Sequence, residues 1–152
     1  MEVVLFEPEI PQNAGNIVRS CALSRSGLHL IRPLGFSLED RYLKRAGLDY
    51  WEYADIKVWD RLEDFLAARA GKRVWVATTH AAQAYSQARF AADDILLFGR
   101  ESSGLPPWVR DRLPENHIRI PMLPIGRSLN LSNAVAIVLF EALRQQGFPG
   151  LE

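Results

Sequence analysis

Cysteine is nearly absent from this 152-residue chain: Cys21 stands alone. One thiol forms no internal disulfide and builds no multi-cysteine metal site. Histidine is scarce too. His29, His80 and His117 lie far apart and offer no ligand cluster, so no metal is expected. Neither charge is in surplus, with Lys plus Arg and Asp plus Glu at 18 each. Bulk charge therefore gives no argument for a polyanion partner, and any basic surface must be local. No apolar run approaches the roughly 20 residues that span a bilayer. The opening Met1 to Leu5 lacks the basic start and long apolar core of a secretory signal. No membrane association is expected, and the expected localisation is cytoplasmic. Repeats and low-complexity tracts are missing as well, so residues 1–152 read as one domain, long enough for a real core.

What is present alternates between two patterns. Short apolar runs read as buried strands at Glu2 to Phe6, Leu28 to Ile31, Asp55 to Trp59, Arg73 to Thr79, Asp94 to Phe98 and Ile118 to Pro121. Helical spacing appears at Asn13 to Ser24, with Asn13 as a possible N-cap, and at Asp40 to Leu48, Leu62 to Ala70, Pro106 to Leu113 and Asn130 to Gln146. Strands alternating with helices predict an α/β fold with a mostly parallel sheet. The last helix is apolar on nearly every side from Ala134 to Leu143. Such a helix must be covered on more than one face, by the domain and by a further element or a second subunit.

Three stretches carry polar residues in places that suit a ligand. Pro11 to Arg19 follows the first strand, where α/β proteins hold ligand loops. It has only Gly15, so it is not the three-glycine dinucleotide fingerprint. Asn13, Asn16 and Arg19 there suit a binding site or, equally, a capped helix with a solvated arginine. Leu97 to Pro106 places Glu101 between Gly99 and Gly104. Glycines allow close approach of backbone to a ligand, and the carboxylate could hold an arginine or a hydroxyl. An ordinary strand-to-helix turn fits the same residues. Ile118 to Leu143 carries Arg127, Ser128 and Asn130 on a loop opening onto a helix N-terminus, which suits either a ligand or a Ser/Asn cap. Arg41, Lys44 and Arg45 are interleaved with Tyr42, Tyr50 and Trp51, a pattern suited to phosphates and bases or to a solvated helix. Cys21 reads as a small buried residue, and the four tryptophans as packing.

In register, the three stretches resemble the SPOUT class of RNA methyltransferases, in its ribose 2′-O-methylating branch. That branch carries Asn…Asn-x-x-Arg, then Phe-Gly-x-Glu-x-x-Gly, then Ile-Pro-Met…Ser-x-Asn-x-Ser-Asn. The matches fall at Asn13 to Arg19, Phe98 to Gly104 and Ile120 to Asn133. Leu5 to Asn13, Pro33 to Phe36, Arg45 to Tyr50 and Glu141 to Gln145 are similar to the small members that act on the wobble nucleotide of tRNA, and the likeness covers essentially the whole chain. The resemblance implies an α/β fold with a C-terminal trefoil knot, which physics alone would not suggest because knots are rare. It implies S-adenosylmethionine as cofactor, S-adenosylhomocysteine as product, tRNA as substrate rather than DNA, and a homodimer with its sites at the interface.

Carried over residue by residue, the resemblance implies catalytic roles for Arg19, Asn13, Glu101 and Asn130. It implies cofactor contacts from Ala77, Thr78, Gly99, Gly104, Ile120, Ser128 and Asn130, and the basic stretch at Arg41, Lys44 and Arg45 is expected to meet RNA. Arginine stays protonated, so Arg19 is expected to stabilise a developing alkoxide, with phosphate or water accepting the proton. Glu101 is expected to hold Arg19 or a ribose hydroxyl. The chain departs from close relatives at Arg100, Ser102, Ser103, Gly126 and His80, which bears on which nucleotide is methylated. Methylation of another tRNA or rRNA site, or a non-catalytic RNA-binding module, are the rival readings.

Overall fold

Val, Leu, Ile and Phe dominate the strands because both faces of the sheet are covered. A computed structural model describes residues 1–152, apart from the side chains of residues 47 and 48. Its strands are β1 (Glu2–Phe6), β2 (Gly27–Ile31), β3 (Ile56–Trp59), β4 (Val74–Ala77), β5 (Ile95–Phe98) and β6 (His117–Ile118). They form one six-stranded sheet in the order β3-β2-β1-β5-β4-β6. Every pairing is parallel, as the alternation of strands and helices predicts. In a parallel sheet all strand ends of one kind share one edge, so the loops after β4, β5 and β6 gather together.

The helices are α1 (Pro11–Leu23), α2 (Arg41–Gly47), α3 (Leu62–Ala68), α4 (Pro107–Arg112) and α5 (Leu131–Gln145). Two short 3₁₀ turns, Leu48–Tyr53 and Tyr85–Gln87, lie outside the sequence expectation. Alternate residues of each strand feed two apolar layers. Val3, Leu5, Leu28, Leu30, Leu96 and Phe98 pack with Ile17, Val18 and Cys21 of α1 and Val135, Val138, Leu139 and Ala142 of α5. Val4, Phe6, Ile31, Val76, Ile95 and Leu97 face α3 and α4 through Leu62, Phe65 and Val109. Cys21 is fully buried, and burial pushes its thiol up to about 12, which fits a core residue rather than a nucleophile.

Of the boundaries that differ from the expected ones, two do so for a reason that bears on the site. α1 begins at Pro11 with Ile10 as the cap residue, two positions before Asn13. Proline is favoured in a first turn because its missing N–H has no partner there anyway. Asn13 is instead buried inside the helix, 5% exposed. The last strand stops at Ile118 rather than Pro121. Beyond it Arg119 leaves β4 and bridges Ala84, its N–H donating to the Gln83 carbonyl at 2.9 Å.

Opposite the loop cluster, at the amino ends of the strands, sits a charged knot of side chains. Glu2 accepts from His29 Nε2 at 2.7 Å, Arg69 Nε at 2.8 Å and Lys72 Nζ at 2.7 Å. Trp59 Nε1 donates to His29 Nδ1 at 3.0 Å, so the imidazole proton sits on Nε2. Burial works to raise the Glu2 carboxyl, but hydrogen bonds from Lys72 and Arg69 and the charge of Arg69 overcome it and hold it at about 2. Desolvation lowers His29 below its ordinary value, against the pull of Glu2.

Candidate active site

A cleft of about 240 Å³ opens at the carboxyl edge of the sheet. Three loops make its walls: Ala77 to Thr79 after β4, Phe98 to Gly104 after β5, and the segment from Ile118 to Leu129 after β6. Leu131, Ala134 and Val138 of α5 supply part of its apolar lining. Of the residues implied to touch the cofactor, Ala77, Thr78, Gly99, Gly104, Ile120 and Ser128 all line this one cleft. Asn130 stands beside it as the α5 cap. Thr79 and the α5 face were not among the residues expected there, while Arg127 was expected on a ligand loop without being assigned to the cofactor. The spacing of 131, 134 and 138 on one helical face is the signal that could have found the α5 contribution.

The loop after β5 is unusually tight. Arg100 and Gly104 exchange backbone hydrogen bonds at 3.2 and 2.9 Å, closing the loop on itself. A Cβ on Gly99 would lie 2.3 Å from the Gly104 carbonyl carbon and 2.4 Å from the Leu105 nitrogen. Gly104 adopts φ +67°, where side chains are strained. Glycine is thus required at Gly99 by close approach and favoured at Gly104 by conformation.

That loop is also latched to the loop after β1. Arg100 pairs with Glu7, its Nε donating at 2.7 Å, and its guanidinium lies 5.3 Å from the Phe6 ring centroid. Ser102 donates to Glu9 through its N–H at 2.9 Å and its hydroxyl at 2.8 Å. These two bonds, the backbone one foremost, hold the Glu9 carboxyl below its ordinary value. Arg100 and Ser102 are two of the departures noted above, and both anchor the cleft wall.

Glu101, Asn13 and Asn130, one from each motif, form a single hydrogen-bonded chain. The Glu101 carboxylate accepts from the Glu9 N–H at 2.8 Å, the Ile10 N–H at 3.0 Å and Asn13 Nδ2 at 3.3 Å. It caps the start of α1, where local side chains do not. Asn130 Nδ2 donates to Asn13 Oδ1 at 2.9 Å. Asn130 Oδ1 accepts from the Ser132 N–H at 2.9 Å and the Asn133 N–H at 3.3 Å, capping α5. The helix-cap reading therefore holds for Asn130, and the chain of bonds joins both helix starts to the cleft wall.

Arg19 lies elsewhere. It is exposed on α1, six residues past Asn13, which is about 9 Å along a helix axis. Among the described residues Glu101 has its bonds with the start of α1 and none with Arg19, one of the two partners expected for it, the other being a ribose hydroxyl. The Arg19 guanidinium instead rests over the Tyr50 ring, 4.8 Å from its centroid. Tyr50 borders a groove shared with Leu23, Tyr53 and Phe140. Arg41, Lys44 and Arg45 are all exposed on α2, and Arg41 and Arg45 flank Tyr42 in a shallow pocket. Lys44 pairs with Glu39 at 2.7 Å.

The chain resembles known proteins over most of its length. The model of the SpoU rRNA Methylase family matches residues 1–140. A tRNA (cytidine(34)-2′-O)-methyltransferase of Methylovorus glucosotrophus is 51% identical over 98% of this chain and 97% of its own length. The protein of that name from Escherichia coli strain K12 is 47% identical over 99% and 96%. A solved structure reported as giving structural insights into the 2-OH methylation of C/U34 on tRNA superposes with a TM-score of 0.92. It is 47% identical and covers 96% of this chain and 95% of its own. The SpoU methyltransferase AviRb of Streptomyces viridochromogenes, solved in complex with AdoMet, gives a TM-score of 0.83 at 25% identity, covering 96% of this chain and 60% of its own.

Proposed function

The chain belongs to the SpoU rRNA methylase family, and from that premise we propose that it transfers a methyl group from S-adenosylmethionine to the ribose 2′-hydroxyl of nucleotide 34 of tRNA, cytidine or uridine. The observation that carries this reading is the single cleft lined by the loops after β4, β5 and β6. The relatives named for cytidine 34, about half identical over nearly the full chain, supply the substrate.

The residues present fit the cofactor. Gly99 lets the loop after β5 fold tightly on itself as one wall of the cleft, and Phe98, Ile118, Leu131 and Val138 offer apolar walls. Thr78, Arg127 and Ser128 offer polar groups at the same cleft. The cofactor, when bound there, supplies the electrophilic methyl group and leaves as S-adenosylhomocysteine. The chain's own task is to position the ribose hydroxyl and help remove its proton. Arg19 stabilises the forming alkoxide and anchors the neighbouring phosphate; as a permanent cation it is not the base. Asn13, Glu101 and Asn130 act by fixing the start of α1 against the cofactor loops. Transfer of this kind asks for no metal.

Arg19 is too far along α1 to serve the cleft beside Asn13, which supports a homodimer in which a second copy brings its arginine to the site. The exposed Leu23, Tyr53 and Phe140 give that copy an apolar face to cover. Support for the knot comes from the connection between β4 and β5. It meets residue 119 at Gln83 to Tyr85, and farther on its Phe90 N–H and carbonyl bond to Gln145 and Gln146 at the end of α5. A tail held at both ends of one connection is what threading through it requires. Arg41 and Arg45 on α2 contact tRNA phosphates, joined by Lys44 once it leaves Glu39. Neutralising either arginine is expected to flatten the salt dependence of tRNA binding by about one charge; an unchanged slope would remove α2 from the interface. The reaction is placed in the cytoplasm, with its tRNA.

The test is Arg19→Ala. Methyl transfer should be lost while calorimetric affinity for S-adenosylmethionine stays within a few-fold. Retained turnover would refute the role given to Arg19.

A further inference from the structure

We infer that Tyr50 is the positioning residue for Arg19, holding the guanidinium by the face of its ring so that the arginine reaches the substrate charged, oriented and with its donors free. The inference rests on the reading of Arg19 given above.

Three other arginines also rest near aromatic rings but are pinned by a charged partner as well. Arg69, Arg73 and Arg100 are each tied to a carboxylate, Glu2, Asp94 and Glu7 respectively. Such pairing orients a guanidinium but consumes its N–H groups and compensates its charge. Among the described residues, Arg19 bonds to no carboxylate and no carbonyl. Its guanidinium carbon lies 4.8 Å from the centroid of the Tyr50 ring. A planar cation over a ring contacts the ring through its face or edge and leaves most of its five N–H donors pointing away. Stabilising a forming alkoxide beside a phosphate needs that combination of uncompensated charge and open donors. It also needs a flexible side chain already restrained before substrate arrives.

The fold places the ring deliberately. Gly15 lets α2 close on α1: a Cβ there would lie 2.4 Å from the Ala46 Cβ and 2.9 Å from the Leu43 carbonyl oxygen. The 3₁₀ turn that follows α2 then runs beside α1 and carries Tyr50, half-buried, against the middle of the helix. The Tyr50 hydroxyl makes no hydrogen bond among the described residues, so the ring and not the hydroxyl is the working part.

The test is single-turnover methyl transfer at saturating S-adenosylmethionine and tRNA. Tyr50→Leu fills similar space without a π face, and its rate should fall about five- to thirty-fold. Cofactor affinity should stay within two-fold, because Tyr50 does not line the cleft. Tyr50→Phe should restore most of the rate. Fluorinated phenylalanines at position 50 should lower the rate step by step with fluorine number, since each fluorine drains the ring face. A packing role would not track fluorination. Tyr50→Leu at full rate, or a rate flat across the fluorinated series, overturns the inference. The Arg19 reading itself fails separately, through Arg19→Ala that still turns over.

Discussion

Gly99→Ala is the sharpest probe of how the cleft wall is built. The added methyl carbon would sit 2.3, 2.4 and 2.8 Å from the Gly104 carbonyl carbon, Leu105 nitrogen and Gly104 Cα. Ordinary contact lies near 3.4 Å or beyond, so about 1 Å of backbone must give way. All three atoms are main chain, and the loop they belong to is closed by the Arg100–Gly104 hydrogen bonds and latched by Glu7, Glu9 and Asn13. No side-chain rotation relieves the clash. Overpacking of this sort costs about 1–3 kcal/mol, which for a domain this size lowers Tm by about 2–12 °C. Because the loop is one wall of the cleft, cofactor affinity should fall at least ten-fold as well. Differential scanning calorimetry and titration calorimetry read the two effects. Gly126→Ala is the control: nothing lies within 4 Å of its added carbon and its φ is not left-handed, so both readings should stay put. A Gly99→Ala protein with unchanged Tm and cofactor affinity would refute the close-approach argument.

Two further outcomes follow from other parts of the molecule. Phe140 is 41% exposed on α5 beside Leu23 and Tyr53; the proposed homodimer predicts that wild-type protein sediments as a dimer and Phe140→Asp as a monomer with little change in fold, and an unaltered dimer would take this groove out of the interface while a wild-type monomer would refute the dimer. (Val138 is 1% exposed and lines the cleft, so an aspartate there disrupts the core instead.) Glu2 is held at about 2, below its ordinary 4.5, so its ionised contacts stabilise the fold above about pH 5 and are lost as pH falls toward 2; Glu2→Gln should flatten the fall of Tm across that window, and a parallel curve would show that the cluster does not set acid stability.

Strands were legible because a two-sided parallel sheet writes each one as a short apolar run. β1 matches residue for residue, and β2 to β5 differ only at their ends. The strand order was not legible, since pairing is set by partners far along the chain. α1 shows why boundaries fail: its cap is the Glu101 carboxylate, about ninety residues away, and no local pattern announces it. The same long-range chain turned Asn13 from an expected cap into a buried link between Glu101 and Asn130. Two of the three cleft walls were readable through the second and third motifs, whose loops a parallel sheet must gather at one edge; the wall after β4 lies in no motif and came only from the family resemblance. The spacing already put Arg19 six residues, about 9 Å of helical rise, beyond Asn13, but did not show its seat on the Tyr50 ring. Nor did composition single out Tyr50 from the aromatics around it.

The central claim is tested most directly by incubating the protein with labelled S-adenosylmethionine and total tRNA, then mapping the modified nucleotide by mass spectrometry. The account predicts one methyl per acceptor tRNA, on the ribose 2′-oxygen of nucleotide 34, abolished by Arg19→Ala. Label on a base, or on the ribose of another nucleotide with none at 34, would contradict it.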